Sequence, residues 1–176
     1  MHKAVFLDRD GVINAIKLIE GKPFPPNKLE ELIILPQVID SLNKLHSIKY
    51  KLIVITNQPD VARGKIPKES VELINKHLMD LLPLNSIYTC FHDDNDHCNC
   101  RKPKPGALIS EAKKNNIDLS KSFMIGDRWK DIEAGKKAGC KTFFIDNGYL
   151  EKQPNDYDFR VSSLYDASLI IENINK

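Results

Sequence analysis

Two aspartates one residue apart, Asp8 and Asp10, end the apolar run Val5-Phe6-Leu7 and are followed at once by Gly11. Carboxylates at the C-terminal end of a buried strand sit where open α/β sheets bind ligands. Two acids sharing one cleft repel each other unless a cation or a shared proton settles the charge. The chain supplies further chemistry in the same order as its apolar runs. Thr56-Asn57-Gln58 ends the run Lys51–Ile55, and Arg63-Gly64-Lys65 follows in the next loop. Arg101-Lys102-Pro103 follows the run Ile87–Phe91, and Gly126-Asp127-Arg128 follows Phe123–Ile125, with Asp131 one helical turn later. Three acids (Asp8, Asp10 and Asp127), a hydroxyl, side-chain amides and several cations are therefore expected in one crevice. Oxygen ligands of this kind suit magnesium, which takes one or two carboxylates and completes its shell with water and phosphate. The hydroxyl, backbone amides and a lysine suit the equatorial oxygens of a phosphoryl group. One aspartate would attack phosphorus, and a second carboxyl would protonate the leaving alcohol and then activate water.

A second cluster has a different chemistry. Cys90, His92, Cys98 and Cys100 place three thiols and an imidazole within eleven residues, around the polar run Asp93-Asp94-Asn95-Asp96-His97. Four such ligands make a closed, tetrahedral, structural zinc site. His97 is the alternative imidazole to His92, but it directly precedes Cys98. The expected work of the metal is to pin the loop so that Arg101 and Lys102 point into the cleft. Cys140, set apart, reads as a small buried apolar residue.

These residues need a scaffold, and the apolar pattern predicts one. Strands are expected at Lys3–Leu7, Lys51–Ile55, Ile87–Phe91, Phe123–Ile125 and Thr142–Ile145, with a weak one at Phe159–Val161. Helices are expected from Pro36 through Leu45, over Pro67–Leu82, Pro105–Asn116 and Lys130–Ala138, and from about Tyr165 to Asn173. Residues Ala15 to Leu35 show no single period, contain Gly21-Lys22-Pro23-Phe24-Pro25-Pro26 and read as a long functional loop. Continuous apolar strands alternating with helices predict an α/β fold, a three-layer Rossmann-like parallel sheet with helices on both faces. With 176 residues and no linker, residues 1–176 are expected to form one domain with no large cap.

Composition narrows the function classes. A net charge of +2 and the lack of a basic block argue against a nucleic-acid partner. No apolar stretch approaches the roughly 20 residues of a membrane span, and Asp8 and Asp10 interrupt the early apolar run, which argues against a signal peptide. A cytoplasmic, monomeric protein acting on a small molecule is expected, with the clustered cysteines reduced and metal-binding.

The motifs resemble the haloacid dehalogenase-like (HAD) phosphohydrolases across essentially the whole chain. The strings Asp8-Arg9-Asp10-Gly11, Thr56-Asn57-Gln58, Lys102 and Gly126-Asp127 through Asp131 carry that resemblance. It implies Asp8 as the nucleophile, Asp10 as acid/base, Thr56 and Lys102 as catalytic partners of the phosphate, and a magnesium held by Asp8, the Asp10 backbone carbonyl and Asp127, with Asp131 behind them. Phe6 to Asn14, Ala62-Arg63-Gly64 and Cys98-Asn99-Cys100-Arg101-Lys102-Pro103 are similar to the subclass of heptose-bisphosphate and histidinol-phosphate phosphatases. That likeness implies a phosphomonoester of a small sugar, a heptose bisphosphate before histidinol phosphate, and assigns the zinc imidazole to His92. Asn57, Arg63, Arg101 and Arg128 are the expected substrate contacts. Two departures favour histidinol phosphate: the short spacer between His92 and Cys98, and Pro59-Asp60, whose acid would suit an amine. Trp129 and Asn14 have no firm role. A zinc-stapled binding module without catalysis would be expected to have lost Asp8, Asp10, Lys102 or Asp127, and all four are present.

Overall fold

The computed structural model describes residues Met1–Lys176. Six strands form one sheet: β1 (Lys3–Leu7), β4 (Tyr50–Asn57), β5 (Ser86–Cys90), β6 (Phe123–Gly126), β7 (Lys141–Ile145) and β8 (Phe159–Val161). Their spatial order is β5-β4-β1-β6-β7-β8, and every pairing is parallel. Five helices cover it: α1 (Val38–Ser47), α2 (Lys68–Leu81), α3 (Gly106–Lys114), α4 (Trp129–Ala138) and α5 (Leu164–Ile174).

The pleat sorts each strand between two cores. Val5 and Leu7 of β1 and Leu52 and Val54 of β4 face one layer, built by Val38, Leu42 and Leu45 of α1, Ile74 and Leu78 of α2, and Ala167 and Ile171 of α5. Ala4 and Phe6, with Ile53 and Ile55, face the other, built by Ala107, Leu108 and Ala112 of α3 and Ala134 of α4. Each fully buried Leu or Ile contributes about 1.5–3 kcal/mol, so a strand slipped by one residue would exchange the two cores at heavy cost. No helix is long and apolar enough to cross a membrane.

The topology positions the site. From β1 the chain passes through α1 to β4, on one side, and later returns through α3 to β6, on the other. The connecting helices change face of the sheet at that point. Strand order therefore reverses beside β1, and the C-terminal ends of β1, β4 and β6 open onto the crevice that such a reversal creates.

Two expectations change. Residues Ala15 to Leu35 are not plain loop: β2 (Lys17–Ile19) and β3 (Lys22–Phe24) pair antiparallel, and a 3-10 turn covers Leu29–Glu31. Glu20 and Gly21 both have positive φ (50° and 74°), the backbone that a two-residue hairpin turn requires. Three-residue strands exposed on both sides carry no hydrophobic period, so the pattern hides them. Helix α1 starts at Val38 and not at Pro36, because Gln37 sits in the left-handed region at its N-cap.

Candidate active site

Asp8, first past β1, is buried, and its Oδ1 accepts from Lys102 Nζ at 2.8 Å. Lys102 is buried too, and pairs with Asp131 Oδ1 at 2.6 Å while donating to the Ile55 carbonyl at 2.7 Å. Burial opposes its charge, but Asp131 and Asp8 hold the ammonium above its ordinary range. One lysine faces more negative charge than it can balance. Ligand oxygens of Asp8, Asp127 and Asp131 all lie within 4.8 Å of one another. Burial, then Asp131 and Asp10 against the pull of Lys102, lift the Asp8 carboxyl to about 6. Burial, then Asp8 and Asp131, push Asp127 well above the carboxylate range.

Asp10 is fixed from three directions. Arg9, fully buried, spans its carboxylate through Nε (3.1 Å) and Nη2 (3.2 Å) and uses Nη1 on Asn75. Gln58 Nε2 donates to Asp10 Oδ2 at 2.8 Å and to Thr56 Oγ1 at 2.9 Å, and Asn14 Nδ2 donates to Asp10 Oδ1 at 2.9 Å. Such a network sets the carboxylate's position without neutralising a nearby phosphate. Asn57 works on the neighbouring loop: its amide donates to the Lys102 carbonyl at 3.0 Å and its Oδ1 accepts from the Lys102 N–H at 3.1 Å. That two-way bridge ties the end of β4 to the segment carrying the lysine.

Asp127 is held from β7. Tyr149 Oη donates to its Oδ2, as does Asn147 Nδ2 at 3.1 Å, and Asn147 also donates to the Gly11 carbonyl at 3.1 Å. Asp127 Oδ1 is buried with no partner at all. Gly11 makes this possible: its φ is +87°, and a Cβ there would stand 1.8 Å from Asp127 Oδ2. Asp131, in the first turn of α4, accepts from the Arg128 N–H at 3.0 Å and returns to Lys102.

Beneath the zinc-type cluster the geometry is a small tetrahedron. Sulfur separations are 3.8 Å (Cys90–Cys98), 3.6 Å (Cys98–Cys100) and 3.2 Å (Cys90–Cys100), and His92 Nδ1 lies 3.6 Å from Cys90 and 3.4 Å from Cys100. His92, not His97, completes the group. Arg101 and Lys102 are both expected in the cleft. Only Lys102 reaches it; Arg101 is buried, donates from Nε to Asp94 at 2.7 Å, and leaves Nη1 without a partner.

The cleft above Asp8 has a volume of about 200 Å³. Beyond the acids, its walls are Asn57 to Asp60, Arg63 and Lys65 on one side, Arg128 and Lys130 on the other, and Pro23, Phe24 and Pro25 from the hairpin. Arg63 is already engaged, through Nε and Nη2 with Asp93 (2.8 and 2.6 Å) and through Nη1 with Asp60 (3.1 Å). Arg128 is clasped by Glu151. Trp129 is partly buried and does not line the cleft; Lys152 lies over its ring at 4.2 Å. Sequence reasoning did not single out Arg9, Asn147, Tyr149, Lys130 or the hairpin. For Asn147 and Tyr149 the signal was available, because they follow β7 as Asp8 follows β1.

A crevice of buried acids and one lysine at the switch point of a parallel sheet defines a HAD-type phosphohydrolase. A family model described as HAD-hydrolase-like matches residues 99–167. The chain is 37% identical over 146 residues to a D-glycero-beta-D-manno-heptose-1,7-bisphosphate 7-phosphatase of Helicobacter pylori, covering 80% of this chain and 81% of that protein. It is 32% identical over 183 residues to a D-glycero-alpha-D-manno-heptose-1,7-bisphosphate 7-phosphatase of Photorhabdus laumondii, covering 97% of each. A D,D-heptose 1,7-bisphosphate phosphatase from B. bronchiseptica, crystallised with magnesium and phosphate, shares the fold with a TM-score of 0.78 at 24% identity, over 98% of this chain and 99% of that one. The chain belongs to the HAD-like hydrolases, and it is a phosphatase.

Proposed function

We propose that this phosphatase hydrolyses D-glycero-D-manno-heptose 1,7-bisphosphate at C7, using Asp8 as nucleophile and Asp10 as acid and base. One observation carries the reading: a buried Asp8 carboxylate at the floor of the cleft, 2.8 Å from Lys102 and grouped with Asp127. An Asp8 oxygen attacks phosphorus, the bond to the leaving alcohol breaks, and Asp10 gives that alcohol a proton. Asp10 then takes a proton from the water that attacks the aspartyl-phosphate, releasing phosphate and restoring Asp8. Arg9, Gln58 and Asn14 hold Asp10 for both transfers; Thr56, bonded to Gln58, belongs to the same array. Lys102 offsets negative charge on the reacting group.

The residues fit a divalent cation. Mutually repelling buried acids, and the orphaned Oδ1 of Asp127, are what such an ion would relieve. Asp8, Asp127 and the Asp10 carbonyl would hold magnesium, with Asp131 retained by Lys102. Magnesium, when bound, supplies charge neutralisation on the phosphoryl oxygens. The Cys90, His92, Cys98 and Cys100 group fits zinc. Bond lengths of about 2.3 Å to sulfur and about 2.0 Å to nitrogen imply tetrahedral edges of about 3.8 and 3.5 Å, close to the separations present. Four protein ligands leave no open position, so this zinc braces the loop that carries Lys102. Reduced, unpaired cysteines accord with a cytoplasmic enzyme.

Histidinol phosphate loses its main support, because Asp60 is not free for an amine: Arg63 holds it at 3.1 Å and Lys65 stands at 3.9 Å. The test is a kcat/KM panel of both anomers of the heptose bisphosphate, heptose 7-phosphate, histidinol phosphate and hexose phosphates. The highest value is expected for a heptose bisphosphate; a preference for histidinol phosphate or for hexose monophosphates would overturn the assignment.

A further inference from the structure

Arg9 is the fully buried residue between Asp8 and Asp10, and its guanidinium spends Nε and Nη2 on Asp10. Neighbours in sequence cannot fix each other's direction, because the pair can turn together with the backbone. An outside reference is needed, and α2 supplies one: Arg9 Nη1 donates to Asn75 Oδ1 at 2.9 Å. Asn75 is the one partner of the guanidinium other than Asp10. An arginine carries only donors, so the carbonyl oxygen of the Asn75 amide must face it. The nitrogen end of that amide then donates to Thr89 Oγ1 on β5 at 2.9 Å. A relay from Thr89 through Asn75 and Arg9 therefore ends on the Asp10 carboxylate.

Asn75 is partly buried on the face of α2 that carries Val71, Ile74 and Leu78 into the core. An apolar residue would extend that stripe, whereas asparagine brings a polar group that must be satisfied and a weaker helix preference. Asn75 does not line the cleft, and neither do Arg9 and Asn14; Asp10 and Gln58 do. The leaving alcohol therefore meets Asp10 on the Gln58 side, and Arg9 holds the carboxylate from behind. A carboxylate offers about four acceptor positions, and Arg9, Asn14 and Gln58 fill them with four bonds. Asp10 can pass a proton to the alcohol only when one of these donors gives way. Gln58 is that donor, because it shares the cleft wall and keeps its bond to Thr56. Direction then depends on Arg9, and through it on Asn75.

We infer that Asn75 is a positioning residue for proton transfer: through Arg9 it sets the direction of the Asp10 carboxyl, and Thr89 in turn sets Asn75. This rests on the reading of Asp10 as acid and base given above. When the phosphoryl group passes to Asp8, the bond from phosphorus to the ester oxygen breaks and that oxygen takes the Asp10 proton. A sugar alkoxide leaves poorly without the proton, whereas p-nitrophenolate leaves without it. A misdirected Asp10 therefore penalises the sugar ester and spares the p-nitrophenyl ester.

The test follows leaving-group release in a single turnover, with enzyme in excess over heptose 1,7-bisphosphate or p-nitrophenyl phosphate. It compares wild type, Asn75→Leu, Asn75→Asp, Thr89→Val and Asp10→Asn. The quantity read is the ratio of the two rates, sugar ester over p-nitrophenyl ester, which a smaller folded fraction alone does not move. In Asn75→Leu the ratio should fall about tenfold or more, part of the roughly 10²–10⁴-fold that a well-placed general acid contributes. Asn75→Asp keeps an acceptor on Arg9 Nη1 and should hold the ratio within about threefold of wild type. Thr89→Val keeps the shape and removes one neutral hydrogen bond, so the ratio should fall about threefold; this variant decides the matter if Asn75→Leu does not fold. An unchanged ratio in Asn75→Leu or Thr89→Val, or an equal loss on both substrates, overturns the assignment. So does an Asn75→Asp ratio as low as that of Asn75→Leu. A wild-type ratio in Asp10→Asn removes the acid reading of Asp10 itself, a separate failure because it appears with Asn75 untouched.

Discussion

Substituting Gly11 by alanine tests whether the metal-side carboxylate is set by backbone geometry. The added Cβ would lie 1.8 Å from Asp127 Oδ2 and 2.7 Å from the Tyr149 hydroxyl. Ordinary contact between carbon and oxygen is about 3.4 Å, so the carboxylate or the loop must move by more than about 1 Å. Asp127 cannot simply swing away. Tyr149 and Asn147 both hold its Oδ2, and Asn147 is bound to the Gly11 carbonyl as well. The left-handed φ of +87° adds about 1–2 kcal/mol for a residue with a Cβ. Overpacking adds about 1–3 kcal/mol, for a total on the order of 3 kcal/mol. In a chain of this size that lowers Tm by roughly 10 °C. The displacement also takes Asp127 off its mark, and an error of about 1 Å costs about a hundredfold in rate. Thermal melting, with phosphate release titrated against magnesium, measures both effects. The expected result is a lower Tm, a kcat/KM reduced about a hundredfold and a larger magnesium requirement. Wild-type turnover and magnesium response in a folded Gly11→Ala protein would refute the reasoning.

Lys102→Met should cost about 3–5 kcal/mol by chemical denaturation, because it leaves Asp8 and Asp131 buried without their cation. It should also abolish turnover; a stable, active variant would show that the lysine is not the charge the site depends on. Metal analysis should find about one zinc per chain that survives dialysis, and Cys98→Ser should lose it together with most of the activity, since the loop carrying Lys102 is no longer braced. Full activity in a zinc-free protein would contradict that role. Chelation of magnesium should stop turnover reversibly, with the zinc content unchanged.

The long elements were legible because burial dictates them. Strands β1, β4, β6 and β7 are apolar runs covered on both faces, so their limits shift by only one or two residues between pattern and structure. The chemistry was legible for a similar reason, since Asp8, Lys102 and Asp127 stand at strand ends that the parallel sheet must bring together. What escaped has physical causes. The β2–β3 hairpin is exposed and too short to carry a period. Arg9 has a side-chain type that is mostly exposed, yet it is fully buried and fixes Asp10. Tyr149 and Asn147 sit in a loop whose strand end was not counted with the others. Arg101 and Arg63 show the limit of charge alone: both are engaged by acids of the cysteine loop, Asp94 and Asp93, partners visible only once the loops are folded.

The central claim is that Asp8 carries the phosphoryl group. Acid-quenched enzyme taken during turnover, reduced with borohydride and mapped by peptide mass spectrometry, tests it most directly. Residue 8 is expected to be recovered as homoserine, because borohydride reduces the acyl phosphate and phosphate leaves, while Asp8→Asn should yield no homoserine and release no phosphate from the substrate. A phosphoryl group found on another side chain, or turnover near wild type in Asp8→Asn, would contradict it.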